Sequence, residues 1–206
     1  MVTEGKSAAL LDLRMPSLQS AGLATGTGTD QLVIASPLPA SGEWERSWAG
    51  GHNSLGELLG RATHAAVTRC ILLQNGVCAE LRRSIVGALG RHGCDQRELL
   101  AQAQVELSEP EAELFGQNLT ALIHDPQSAA AAFALAEIID LVRAGVLHAE
   151  VVQEALVNQA ALLAAAVAVA PEQFSALREE LQRHSDLAPG ALAARAVALG
   201  FGRKWV

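Results

Sequence analysis

The chain has 206 residues and a formal net charge of -7, and half of its residues are apolar although only 3% are aromatic. The acidic balance and the lack of a Lys/Arg cluster argue against a nucleic-acid partner, because phosphate contacts need a basic face. Three cysteines without a Cys-x-x-Cys pair indicate reduced thiols in a cytoplasm rather than a disulfide framework. The N-terminus has no basic segment followed by an apolar one, so we expect no signal peptide.

The first half of the chain mixes predicted helices with one predicted strand. Residues 1–13 form a helix that Pro16 ends, and Ser54 to Leu73 has apolar residues at helical spacing. Between them, Leu32 to Ala35 is short, apolar and bounded by turn residues, which predicts a buried strand. A further helix is predicted at about residues 77–89, ending at Gly90.

From about Asp95 onward the pattern predicts helices and no strand. Proline and acidic residues mark helix starts at Ser108-Glu109-Pro110, Asp125-Pro126, Pro171 and Pro189. The most apolar segment, residues 147–170, carries enough polar side chains to predict a buried or amphipathic helix rather than a membrane span. The fold class is therefore predicted as α/β, mostly α, with a strand-containing region at 1–94 and a helical bundle at 95–206.

The first chemically suggestive motif runs from Ala24 to Asp30 and leads into the predicted strand. Its glycines allow backbone N–H groups to approach a ligand closely, and its hydroxyls and one carboxylate suit an amide-hydrolase site or an anion cradle. The same residues are also compatible with a tight glycine turn that merely feeds a strand. The residues concerned are Thr25, Gly26, Thr27, Gly28, Thr29 and Asp30.

The second motif runs from Gly50 to Arg61 and precedes a helix. A histidine near a helix N-terminus is favoured in its neutral form, so His52 is a candidate base or ligand, and Glu57 lies about one turn further on. Alternatively, His52 is a loop residue and Glu57 a capping carboxylate. A metal site built from His52, Glu57 and His64 is a weaker alternative, and no metal or other cofactor is expected.

Three segments in register resemble the adenosylcobinamide amidohydrolases. They are Thr3-Glu4-Gly5-Lys6 in the first helix, the Ala24–Asp30 turn, and Gly51-His52-Asn53-Ser54-Leu55-Gly56-Glu57 at the start of the second long helix. The resemblance covers about residues 2–90 and corresponds to the C-terminal part of the family domain. Family members carry a further strand-containing segment ahead of the first helix, so we expect that segment to come from another chain or to have been lost. The helical stretch after about Asp95 has no counterpart in the resemblance.

The resemblance implies an amidohydrolase of corrinoid (vitamin B12) salvage, or a subunit of one. Such enzymes hydrolyse the amide that joins the aminopropanol arm to the corrin ring, giving adenosylcobyric acid. It makes Asp30, His52 and Glu57 candidate catalytic residues, with His52 or Asp30 expected to transfer protons. The nucleophile is either an activated water or one of Thr25, Thr27 and Thr29. The substrate-binding candidates are Lys6, Gly26, Gly28 and Gly51. Lys6 either pairs with Glu57 or Asp30 or supplies positive charge to the site, and the alternative is an ordinary exposed lysine.

A non-catalytic function is the alternative interpretation. A binding or assembly protein derived from the same family would join a remnant half-domain to a helical interaction module. In either case we expect a homo-oligomer or a partner chain, because an unpaired strand edge must be covered. The small-molecule partner is a corrinoid, and neither nucleic acid nor a membrane is expected.

Overall fold

The computed structural model describes residues 1–26, 30–38, 40–42, 48–78 and 83–204. The chain divides into two compact units, Met1–Glu80 and Leu81–Val206. The boundary predicted from the sequence lies at residue 94.

The predicted α/β class is wrong, because every regular element in the described ranges is a helix. Leu32, Val33 and Ile34, expected in a buried strand, are 54%, 90% and 66% exposed and have no regular secondary structure. An apolar run becomes a strand only when a second strand pairs its backbone groups. The described residues offer it none, and their β-pairing is limited to an isolated bridge between Pro16 and Leu23.

The first unit contains α1 (Val2–Asp12) and α2 (Ser54–Asn75), which pack against each other. They cross very closely at Gly5, where a Cβ atom would lie 2.5 Å from the backbone oxygen of Gly60. The Asn53 side chain caps α2 by accepting a hydrogen bond from the Gly56 N–H at 2.8 Å. Gly76 ends α2 in the left-handed conformation, with a φ of 69°.

The second unit consists of helices, as predicted for the second half of the chain. Their starts follow the sequence signals, since Asp125 caps one helix and Pro126 and Pro189 occupy first-turn positions. The helices are α3 (Ile85–Leu89), α4 (Gln96–Glu106), α5 (Glu109–His124), α6 (Pro126–Arg143), α7 (Ala149–Ala168), α8 (Phe174–Gln182) and α9 (Pro189–Gly202), with 3₁₀ turns at Gly90–His92 and Pro171–Gln173.

α7 is the centre of the second unit and packs against α6, α8 and α9. Alanines let these helices approach closely, and a Cβ atom on Gly200 of α9 would lie 2.3 Å from the Ala164 backbone oxygen of α7. Phe115 of α5 and Phe201 of α9 meet edge to face, with ring centroids 5.2 Å apart. A largely buried ion pair, Arg195 Nη1 to Glu106 Oε1 at 2.7 Å, joins α9 to α4.

Within the described ranges, α7 is the helix whose length and composition fit a membrane span. The window Glu150–Ala168 has a mean hydropathy of 1.5, and 61% of it is buried inside the protein. The core helix of a soluble protein satisfies the same criteria.

Candidate functional site

The loop that follows α1 returns the first glycine motif to the side of that helix. Arg14 leaves α1 with a positive φ of 49°, and the chain then doubles back through the Pro16–Leu23 bridge. The Ala24 N–H donates to the Met15 carbonyl at 2.8 Å, and the Ser7 hydroxyl donates to the Thr25 carbonyl at 2.9 Å. Thr25 and Gly26 are therefore held against α1.

Lys6 forms an ion pair with Asp30 next to this returned loop. The Lys6 side chain is 23% exposed and the Asp30 side chain 42%, so both remain accessible to solvent. Gly26 lies against the pair, because a Cβ atom there would fall 2.4 Å from Asp30 Oδ2. The structure thus gives Lys6 the partner Asp30 rather than Glu57.

The Lys6–Asp30 pair borders a recess of about 200 Å³ between α1, α2 and the segment after the first motif. Thr3 and Thr63 add hydroxyl groups, and the remaining wall is mainly apolar. We call this recess the lysine recess; its lining residues are Val2, Thr3, Lys6, Asp30, Gln31, Leu32, Thr63 and Val67.

A larger cleft of about 530 Å³ lies along another face of α1, and we call it the α1–α2 cleft. It is open to solvent. The Met1 ammonium group at its edge lies 3.1 Å from Glu4 Oε2. The lining residues are Met1, Glu4, Gly5, Ala8, Gly51, Glu57, Gly60, Arg61 and His64.

The second glycine motif forms the loop and first turn at one end of the α1–α2 cleft. Gly51 and Glu57 line the cleft, and Glu57 Oε1 lies 3.4 Å from Arg61 Nη1 one turn along α2. Gly56 is buried beneath the loop, since a Cβ atom on it would lie 2.0 Å from the Gly50 carbonyl oxygen. Packing alone therefore explains why this motif has a glycine at position 56.

The predicted site residues are not gathered into one pocket. Lys6, Gly26 and Asp30 lie at the lysine recess, with the Thr25 carbonyl beside them, whereas Gly51 and Glu57 line the α1–α2 cleft. His52 is exposed and lines neither. Thr27, Gly28 and Thr29 lie outside the described residues.

No group of three or more His, Cys, Asp or Glu side chains in the described ranges is arranged to hold a metal ion. The metal alternative combined His52, Glu57 and His64. His64 instead contacts Asp12, with 2.9 Å between His64 Nε2 and Asp12 Oδ2.

The pairing of His64 with Asp12 is the feature that motif-based reasoning missed. These two residues belong to neither glycine motif, but the spacing of residues along each helix could have pointed to them. Glu57, Gly60, Arg61 and His64 recur at spacings of three and four and so share one face of α2. The same spacing along α1 puts Asp12 on the face that carries Ala8 and Gly5.

Comparison with known families identifies the first unit only. Residues 1–79 match the family model described as adenosylcobinamide amidohydrolase, and the remainder of the chain is unmatched. The match ends one residue short of the structural boundary at Glu80. No curated protein and no solved structure matches the chain. The first unit is therefore similar, at the level of the family, to the adenosylcobinamide amidohydrolases.

Proposed function

We propose that this chain is an amidohydrolase of corrinoid salvage, or a subunit of one, acting in the cytoplasm. The reaction is hydrolysis of the aminopropanol amide of adenosylcobinamide to adenosylcobyric acid. The observation that carries the proposal is the family match over residues 1–79, which coincides with a structural unit containing two recesses.

The α1–α2 cleft is the better candidate for the reacting amide. Its volume of about 530 Å³ suits an amide-bearing arm, with the bulky corrin ring remaining outside. Glu57 and Gly51 supply a carboxylate and an approachable backbone there. Hydrolysis needs an activated nucleophile and donors for the oxyanion that develops on the carbonyl oxygen.

The lysine recess is the better candidate for holding a polar substituent of the substrate. The Lys6 ammonium and the Gly26 backbone offer donors, and the Asp30 carboxylate offers acceptors. The corrin ring bears several amide side chains, and amides need both kinds of partner. Asp30, His52 and the three threonines of the first motif remain predicted catalytic residues, and Gly28 remains a predicted binding residue.

The direct test is incubation of the purified chain with adenosylcobinamide, followed by chromatography for adenosylcobyric acid. We expect product from the native chain and a strong loss in Asp30→Ala and Glu57→Gln. His184→Ala, in the second unit, serves as the control and should retain the native rate. If the native chain forms no product and binds no corrinoid, the enzymatic proposal is wrong.

A specific observation favours a second candidate function, that of a binding or assembly protein. In the described part of the first unit the buried apolar side chains are those of Ala9, Leu13 and Ile71, whereas Leu38 and Trp48 are 94% and 78% exposed. Exposed apolar side chains mark an interaction site when they form a contiguous patch, and their number in this small unit supports the alternative. The partner is then a second copy of the chain or a different chain that covers the first unit.

Light scattering distinguishes the two candidates when combined with the product assay. An assembly protein gives a stable oligomer or complex without product. An enzyme that assembles gives both, and its rate per chain rises with concentration in the range where the oligomer forms.

A further inference from the structure

We infer that His64, positioned by Asp12, is the group that transfers protons in the α1–α2 cleft. The inference rests on the proposed amidohydrolase function and adds two residues that neither glycine motif contains. It makes His64 a catalytic residue of this cleft and Asp12 its positioning residue.

The contact between the two side chains joins different helices. Asp12 is the last residue of α1 and His64 lies in the middle of α2, and their closest atoms, Oδ2 and Nε2, are 2.9 Å apart. A carboxylate only accepts hydrogen bonds, so a neutral His64 ring carries its proton on Nε2. The lone pair is then on Nδ1, which makes that atom the proton acceptor.

His64 also has the accessibility that a proton-transfer group requires. It lines the α1–α2 cleft together with Gly51 and Glu57, and its side chain is 38% exposed. A water molecule and a substrate amide can therefore both reach it, while the contact with Asp12 restricts the rotation of the ring. His52, the histidine that the motif predicted, lines neither recess.

The charged groups around His64 come from both helices. Asp12 and Glu4 belong to α1, the Met1 ammonium precedes α1, and Glu57 and Arg61 belong to α2. Two of the carboxylates have other partners, since Glu4 contacts the Met1 nitrogen and Glu57 contacts Arg61. Asp12 is the carboxylate that contacts His64.

The chemical step balances with water as the only co-reactant. The oxygen of a water molecule forms a bond to the amide carbonyl carbon as its proton moves to Nδ1 of His64. The tetrahedral intermediate then collapses, the carbon–nitrogen bond breaks, and the same proton passes from His64 to the leaving amine. This gives a carboxylic acid and an amine, and the imidazole returns to its neutral form. The carboxylic acid, which holds the second proton of the water, then releases it to the amine, so the final products are a carboxylate and an ammonium.

A purely structural role is the competing explanation. An exposed ion pair between two helices holds them together weakly, and Asp12 is 68% exposed. Such a pair would affect the thermal midpoint Tm of the first unit but not the pH dependence of the rate. The two roles therefore differ in what they change.

The test uses the full chain with adenosylcobinamide and the variants His64→Gln, His64→Ala and Asp12→Asn. Glutamine keeps a donor for Asp12 and a high helix propensity, so His64→Gln should fold normally. We expect its kcat to fall about 10²- to 10⁴-fold, the range typical of a general base, with KM little changed. The acid limb of the pH–rate profile, present in the native protein, should be absent from His64→Gln. Asp12→Asn should lower kcat by a smaller factor than His64→Gln does.

Chemical rescue separates catalysis from structure. Added imidazole should restore part of the rate of His64→Ala, because the truncated side chain leaves room for it, whereas it should not affect His184→Gln. Two results would each overturn the inference while the proposed function stands. The first is a native rate in His64→Gln. The second is a loss of rate in His64→Ala that imidazole does not relieve and that parallels a lower Tm. An inactive native chain overturns both.

Discussion

The two units of this protein differ in how their helices are held together. The second unit buries large side chains such as Phe115, Leu99 and Leu163 completely, and α7 is surrounded by other helices. The first unit is a pair of helices in backbone contact at Gly5, with few apolar side chains removed from water.

The family match and the large hydrophobic core lie in different parts of the chain. The family match and both recesses belong to the first unit, which has little hydrophobic core of its own. The second unit has a large core and no family match. Burial of apolar surface is the main source of folding free energy, so the second unit should be the more stable one.

Cysteine reactivity provides the largest expected contrast between the units. Cys70 of α2 is exposed, whereas Cys94 is fully buried, and burial together with the nearby Glu98 and Asp95 raises the pKa of the Cys94 thiol to about 12. Near pH 8 that thiol stays protonated, so we expect iodoacetamide to modify Cys94 at least about 10³-fold more slowly than Cys70. Peptide mass spectrometry measures both rates. If Cys70 and Cys94 were modified at comparable rates in the native protein, as expected in denaturant, the burial of Cys94 would be contradicted.

Truncation of a core aromatic should have the next largest effect. Phe115→Ala removes the edge-to-face contact with Phe201 and leaves a cavity, which should cost about 3–5 kcal/mol of unfolding free energy. Leu114→Ala, on the neighbouring and 40% exposed side chain, is the matched control and should cost far less. Urea unfolding gives both values. Equal costs for the two variants would mean that the second unit is not packed as described.

A methyl group at the helix crossing should have an intermediate effect, limited to the first unit. Gly5→Ala places a Cβ atom 2.5 Å from the Gly60 backbone oxygen, so α1 and α2 must separate, at a cost of about 1–3 kcal/mol. Hydrogen exchange in α1 and α2 should accelerate accordingly. Gly116→Ala in α5, where the nearest atom lies 3.7 Å away, is the control for helix propensity. Unchanged exchange in Gly5→Ala would show that the crossing is looser than described.

The smallest predicted effect concerns the start of α5 and depends on pH. The Ser108 hydroxyl and backbone N–H both donate to Glu111 Oε2, at 2.5 and 2.9 Å, and these hydrogen bonds lower the pKa of the Glu111 carboxyl. A lowered folded-state pKa gives stability that is present above the usual carboxyl range and is lost as the pH falls through the folded-state value. Ser108→Ala should therefore lower Tm slightly at pH 7 and have less effect at pH 3. Calorimetry at both pH values tests this, and an equal change at both would contradict the assigned cause.

The helix starts could be predicted from local signals, whereas the strand predicted at Leu32 to Ala35 does not form. Asn53, Asp125 and Pro189 mark helix starts in the sequence and do so in the structure, because capping depends on only a few neighbouring residues. The run at Leu32 has the composition of a strand, but strand formation depends on a distant pairing partner that local composition does not reveal.

The candidate site was predictable only in parts. The first glycine motif drew attention to Asp30 and the family resemblance to Lys6, and the returning loop pairs these two residues across 24 positions of sequence. The contact between Asp12 and His64 depends on how α1 crosses α2, and the motifs carry no information about that angle. Gly5 and Gly56 make close backbone approaches, so part of the motif pattern reflects packing rather than chemistry.

The close crossing at Gly5 has a mechanical consequence. α1 forms a wall of both the lysine recess and the α1–α2 cleft, and at Gly5 its backbone lies directly against that of Gly60 in α2. Because α1 lines both recesses, a shift of α1 about this contact would alter the widths of both of them.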